Sequence, residues 1–428
     1  MSKAKDLFFA LRDRVRFIWA RNKFTFMPFG KVEDFDLKQM RHIVILKVDG
    51  KLGDTQVMTH FYQTLREQIP DLTLSVVCPP SLAPIYADIL GFDQVITSSK
   101  KPRKTEIEYI CQKLTGPESA CQYVDLVVTT EPHFKPRDFI FNYNLRPRYV
   151  AGCEPLLKGH EINLFLFDPN SDQRHISTCF TDFMTQGKLD FKPVHYEPLY
   201  ESATLREVKA KFDCPVIGIN PCGAAANRYL TVEMVSTLIK RISALYVGKC
   251  ITVLLMCPPG QQSFIEQVKA QVGDLASSNV DGNANAGEHA AQQEHELQDS
   301  SATASASDNA VSSEATTAAT SATAATATQN HLDLQTLPEV DVEGYAAYIG
   351  ALSALITVDT AAVHLACASD IPQLCVYMGD GNTLNEKRWG PHSAVAEVLD
   401  SNTPERLDAM DSELFVSRSM SFLKRVLP

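Results

Sequence analysis

The stretch ILKVDGKLGDTQVMTHFYQTLREQIPD, Ile45–Asp71, runs from apolar residues through a loop with two glycines into an amphipathic segment. With the residues just ahead of it, the apolar run HIVILKV reads as a buried parallel strand. Met58, Phe61, Leu65 and Ile69 then recur every three or four residues, so one face of a following helix is apolar. Pro70 and Asp71 close that helix. Gly50 and Gly53 let the backbone turn sharply and approach a ligand, with Lys51 between them. Asp54 stands at the corner. It can cap the helix by accepting a backbone N–H, or it can take a proton from a substrate. The loop lacks G-x-G-x-x-G and has no G-K-[ST], which excludes a dinucleotide fingerprint and a phosphate loop.

The same strand-then-helix rhythm continues. LTLSVVC reads as a strand, SLAPIYADILG as a helix, and DQVIT and DLVVTT as further strands. After the proline-punctuated DFKPVHYEPLYE, a second series begins. PVIGINP, CITVLLM, SALITVD and QLCVYM are strand candidates, and TVEMVSTLIKRISAL, FIEQVKAQV and TAAVHLACAS are helix candidates. The expected class is α/β, with two doubly wound Rossmann-like domains at residues 41–195 and 205–400 and a helical tail at 401–428. A length of 428 residues also favours two cores over one.

Composition narrows the remaining possibilities. Hydrophobic residues make up 45% and charged residues 21%, a globular balance. No uninterrupted apolar run approaches the ~18 residues of a membrane span, and no signal-peptide pattern opens the chain. The eleven cysteines form no C-x-x-C pair, so we expect reduced, buried thiols, a cytoplasmic protein and no metal site. The formal net charge is -11, but seven acidic residues and no Lys or Arg fall between Ala276 and Asn330. That segment of Ala, Ser, Thr, Asn and Gln reads as a disordered insert in the second domain. The remaining charge gives no support for nucleic-acid binding. Residues 1–40 form a basic extension in which Leu7, Leu11, Val15 and Ile18 recur at helical spacing. Such a helix can lie on an anionic membrane surface or dock on the protein's own core.

Ligands of paired α/β domains bind between them, at the carboxyl ends of the strands. Three loops fall there: VDGKLGD, NPCGAAANRYL and VDTAAVH. In the third, Thr360 and the N–H groups of Ala361 and Ala362 open a helix whose N-terminus can accept a diphosphate. His364 lies on its first turn, within expected reach of a phosphate oxygen or Asp359. It can equally be a buried structural histidine. In the second loop, Gly223 and Ala224 leave the backbone open, and Asn227 and Arg228 bring an amide and a fixed charge that can clamp a phosphate.

These blocks resemble the bacterial heptosyltransferases of lipopolysaccharide core synthesis, glycosyltransferase family 9. HIVILKVDGKLGD looks like that family's opening strand and S-x-G-D loop, and INPCGAAANRYLTVEMVSTLI resembles its K-R-W-P segment. LITVDTAAVHLACASDIPQLCVYMG is similar to its D-[ST]-G-x-x-H block, and RPRYVAGC to a weaker R-R-I-G element. The resemblance spans about residues 41–395. It implies a GT-B fold and an inverting, metal-independent enzyme without a cofactor. It implies transfer from a nucleotide-diphosphate sugar, typically ADP-heptose, to a lipid-linked inner-core oligosaccharide. It puts Asp54 on the catalytic base, with Lys51 and Gly53 in the acceptor-side loop. Gly223, Ala224, Asn227, Arg228, Asp359, Thr360, Ala361 and His364 fall on the donor side. The family's ribose-binding Glu has Gln261 or Gln262 as its counterpart here, of which Gln262 is the expected contact. Asn227 replaces a Lys, Tyr229-Leu230 replaces W-P, and Ala361 replaces a Gly. A catalytically silent nucleotide- or glycan-binding member of the family is the alternative. The expected location is cytoplasmic, peripheral on the inner membrane.

Overall fold

In the computed structural model, residues 3–119, 121–131, 133–273, 331–379, 383–403 and 405–427 are described. The insert expected at 276–330 lies outside them. Among the described residues, twelve strands form two sheets. The first sheet holds β1 (His42–Leu46), β2 (Thr73–Cys78), β3 (Gln94–Thr97), β4 (Leu126–Thr129), β5 (Tyr149–Gly152) and β6 (Leu164–Phe165). The second holds β7 (Val216–Asn220), β8 (Cys250–Leu255), β9 (His331–Thr336), β10 (Ala354–Val358), β11 (Gln373–Tyr377) and β12 (Ala396–Asp400).

All the pairings within the sheets are parallel. The first sheet runs β3-β2-β1-β4-β5-β6 and the second β12-β11-β10-β7-β8-β9. Counted from its own first strand, the second sheet repeats the order of the first. Each is therefore doubly wound, and the order reverses between β1 and β4 and between β7 and β10. A crevice opens at such a reversal, because the connections on either side leave in opposite directions. The loops after β1, β7 and β10 are the three that carry the motifs. β1, β7, β10 and β11 are buried along their whole length. That accounts for their near-continuous apolar sequence.

Three strands carry no clear sequence signal. β6 is only two residues long, and β9 and β12 are edge strands with interleaved polar residues. SLAPIYADILG does not make the expected α-helix. It forms a 3-10 turn at Pro80–Leu82 and a π-helical turn at Ile85–Ile89. Pro79, Pro80 and Pro84 remove the N–H donors that a regular helix needs. The helix expected after β1 is split at Met58 into Leu52–Val57 and Thr59–Gln68. The expectation of uniformly reduced cysteines also changes. Cys214 and Cys250 are bonded, with Cα atoms 5.6 Å apart, because parallel pairing of β7 and β8 sets their starts side by side.

The two sheets share packing. Cys367 and Ala368, on the helix after β10, are buried in the core of the first sheet. Ile85 joins the core of the second. Arg388, at 7% exposure, donates to the carbonyls of Pro169, Asp168 and Asp172 across the interface. Hydrogen bonds to a charged group are worth about 1.5–3 kcal/mol, and a buried set is costly to break. Arg388→Met is expected to lower stability by roughly 3 kcal/mol in urea denaturation.

Candidate functional site

A cavity of about 1010 Å³ lies between the carboxyl edges of the two sheets. Leu52, Pro80 and Ser81 wall it on one side. Asn220, Gly223, Ala224, Gln261, Gln262, Thr360 and Ala361 wall it on the other. Much of the donor side expected from sequence is therefore brought together.

The helix Ala361–Ala368 opens as expected. Thr360 is its N-cap, and its hydroxyl accepts from the Ala362 N–H at 3.3 Å. Asn220, the last residue of β7, donates to Thr360 Oγ1 at 2.9 Å and to Thr357 Oγ1 at 3.0 Å. This amide locks the end of β7 to the start of that helix across the reversal point. Sequence reasoning had left Asn220 out, although an Asn ending an apolar strand is a legible signal. Gly223 has a specific reason to be glycine. A Cβ there would lie 2.5 Å from Arg228 Cβ, where the loop folds back and Gly223 N–H meets Arg228 O at 3.1 Å.

Other donor-side residues sit elsewhere. Arg228 turns away from the main cavity and donates to Asp359 at 3.0 Å, and Asn385 donates to the same carboxylate oxygen at 2.8 Å. These three share an adjoining cavity of about 190 Å³. Burial raises the Asp359 carboxyl above its ordinary range, while Arg228 and Asn385 pull it back. Asn227 is exposed and donates to the Glu405 carbonyl at 2.9 Å, away from the cavity. Gln262 lines the cavity and reaches Glu266 at 3.3 Å, and Gln261 reaches the Tyr229 hydroxyl at 3.2 Å.

Across the cleft, Asp54 is not the helix cap. Lys51 holds that position, without a side-chain cap bond, and Asp54 is the third helical residue. Its carboxylate, 18% exposed, is not among the groups lining the cavity and meets Lys47 Nζ at 3.4 Å. Lys47 is fully buried and also donates to Thr130 Oγ1 at 3.2 Å. The sequence reading passed over Lys47, a lone cation closing an apolar strand. The two glycines of this loop also have separate jobs. Gly50 has φ +64°, a left-handed turn. Gly53 serves close approach: a Cβ on it would lie 3.2 Å from His364 Cδ2 and 3.3 Å from Ala361 Cα. The loop after β1 and the helix after β10 thus touch directly.

That contact explains His364. It points neither to Asp359 nor to open solvent but is buried under Gly53, facing Trp389 at 6.2 Å between ring centres. Burial first, then nearby His175, lowers its pKa to about 3. Its Nδ1 has no hydrogen-bond partner. Two further residues missed in sequence, Cys222 and Cys257, hydrogen-bond each other on the cavity wall after β7 and β8.

Residues 307–413 match the family model described as glycosyltransferase family 9 (heptosyltransferase). The match covers 107 of the 428 residues. The fold agrees with solved structures. The glycosyl transferase family 9 structure from Veillonella parvula superposes with a TM-score of 0.62 at 15% identity, covering 92% of this chain and 99% of that one. E. coli ADP-heptose lps heptosyltransferase II gives 0.60 at 13%, covering 90% and 99%. E. coli heptosyltransferase WaaC with ADP gives 0.57 at 14%, with the same coverage. No curated protein matches the chain in sequence. The glycosyltransferase class and the GT-B fold read from the sequence are thus supported. Among the described residues, no helix is long and apolar enough to cross a membrane.

Neutral His364 predicts a pH effect. Its folded pKa lies below the unfolded value near 6.5, so its contribution to stability is present above about pH 6.5 and is lost as pH falls toward 3. Between pH 7.5 and 5, wild-type stability is expected to fall more steeply than that of His364→Gln in urea titrations. Equal slopes would count against this burial.

Proposed function

We propose that the protein is an inverting, metal-independent glycosyltransferase. It moves a sugar, heptose in the leading reading, from a nucleotide-diphosphate donor such as ADP-heptose to a lipid-linked lipopolysaccharide inner-core acceptor. The place of action would be the cytoplasmic face of the inner membrane. One observation carries the reading. Gly53 abuts Ala361 and His364, so the helical turn that carries Asp54 packs against the start of the helix Ala361–Ala368. The presence of ADP, and of ADP-2-deoxy-2-fluoro heptose, in similar E. coli heptosyltransferase structures supports the donor class.

In this proposal the donor diphosphate rests on the N–H groups at the start of the Ala361–Ala368 helix, beside Gly223, Ala224 and Thr360. A helix N-terminus carries roughly half a positive charge, which stabilises the negative charge growing on the departing diphosphate. Gln262 would meet the nucleoside. Asp54 accepts the acceptor hydroxyl proton as the new glycosidic bond forms and the sugar–phosphate bond breaks. Lys51 and Gly53 belong to the acceptor-side loop. Lys47 holds the Asp54 carboxylate in place. Arg228 and Asp359 act as a pair beside the diphosphate, and His364 packs the two sides together. Asn227 reaches the donor only if its loop moves.

Asp54→Asn is expected to lower kcat by ~10²–10⁴-fold while retaining the fold and donor binding. Near-normal turnover would remove Asp54 from the mechanism. Lys47→Met is expected to lower kcat with little change in donor binding, because the Asp54 carboxylate loses the contact that positions it. Excess chelator is expected to leave turnover unchanged, which tests metal independence.

The pairing of Arg228 with Asp359, together with the loss of a Lys at Asn227, favours a second reading: a catalytically silent binder of nucleotide or glycan. Calorimetry with ADP and with an intact donor, followed by a transfer assay, separates the two. Binding without transfer across a donor panel would select the silent reading.

A further inference from the structure

The helix Lys3–Lys23 has two apolar faces, and only one is used. Its inner face docks on the helix Pro136–Leu145 of the first domain. Phe17 meets Phe139 edge-on at 5.1 Å, Ala20 and Phe24 are buried, and Arg21 is bonded to Glu161. At 3.6 residues per turn, Leu11, Val15, Ile18 and Trp19 fall together on the opposite side. They are exposed by 61%, 57%, 49% and 51%. Arg12, Arg16 and Lys23 run along one flank of that stripe and Arg14 along the other. The patch continues beyond the helix. Trp19 meets Phe24 at 5.8 Å, and Phe24 meets the exposed Tyr143 at 5.7 Å. Lys23 lies 5.0 Å from the Trp19 ring centre. Met27 and Phe29, just past the helix, are also exposed.

We infer that this face lies flat on an anionic lipid bilayer. Leu11, Val15 and Ile18 enter the boundary between headgroups and acyl chains, and the flanking cations meet lipid phosphates. Trp19 and Tyr143 sit at headgroup depth, where an apolar ring with a polar edge is most stable. Charge selects this occupant. Residues 1–30 hold seven Lys or Arg and two Asp in a chain of net charge -11. A second copy of the face would set like charges against each other, whereas an anionic surface offsets them. Because the inner face stays docked, the membrane contact is tied to the domain that carries Asp54. The two apolar faces also resolve the sequence alternatives: the helix docks on the core through Phe17, Ala20 and Phe24 and keeps the Leu11 stripe free. The inference rests on this face alone and survives if the glycosyl-transfer reading fails.

The test is co-sedimentation of the full chain with vesicles of phosphatidylcholine containing or lacking phosphatidylglycerol. Wild-type protein is expected to bind the anionic vesicles, with a blue shift of Trp19 fluorescence that is absent in Trp19→Phe. High salt and Arg14→Glu/Arg16→Glu should each weaken binding. Val15→Glu/Ile18→Glu changes only exposed positions and should reduce partitioning by roughly tenfold or more, with an unchanged unfolding midpoint. Three results would overturn the inference: no binding by wild type, equal binding to neutral vesicles at all salts, or unaltered binding of Val15→Glu/Ile18→Glu. Self-association through the face without vesicle binding would also overturn it, in favour of a protein partner.

Discussion

The contact between Gly53 and the Ala361–His364 turn holds the cleft together. Each side belongs to a different sheet, and each sits at the point where strand order reverses. A single side-chain carbon at residue 53 would push against Ala361 and His364. The contact therefore sets how near the Asp54 corner comes to the helix N-terminus. His364 completes it by remaining neutral, since a charged imidazole would be costly in a site closed on all sides. Arg388 adds a polar clamp at the same interface by filling three carbonyls from the other side.

Two charged pairs flank this contact, and each shows how burial constrains chemistry. Lys47 is wholly buried, and its ammonium is held by Asp54 and Thr130. Removing the Asp54 carboxylate would leave the buried ammonium with only a hydroxyl as partner. Arg228 and Asp359 form the second pair, at one remove from the main cavity. A guanidinium already engaged by a carboxylate is a weaker phosphate ligand than a free one, because it must first give up that partner. The main cavity is lined by small residues such as Gly223, Ala224 and Ala361 together with larger apolar ones such as Met256, Ile265, Leu337 and Tyr345.

Much of the fold was legible in the sequence, and the reason is burial. Strands β1, β7, β10 and β11 are covered on both faces, so their sequences are almost wholly apolar and stand out. β6, β9 and β12 lie at sheet edges or are too short to show a pattern. SLAPIYADILG has helical spacing, but its prolines break the hydrogen-bond ladder. Of the candidate site, Thr360, Ala361, Gly223 and Ala224 were readable because small residues and a cap follow a strand. The roles of Lys47 and Asn220 were not, since Thr130 and Thr360, which they bond, lie far along the chain. Arg228 was legible as a charge in the loop after β7, but its pairing with Asp359 depends on how that loop folds back.

The local chemistry of each loop was determined by the sequence alone: a glycine turn before an acid, a hydroxyl cap before small residues, and a basic helix with apolar spacing. These depend on neighbours within a few positions, which the chain order supplies. Only the tertiary structure decided whom each group faces. It moved Asp54 from helix cap to partner of a buried lysine and turned Arg228 toward Asp359. It buried His364 under Gly53 and left one stripe of the N-terminal helix uncovered. Such choices rest on contacts between residues distant in sequence, and these form only when the two sheets close on each other.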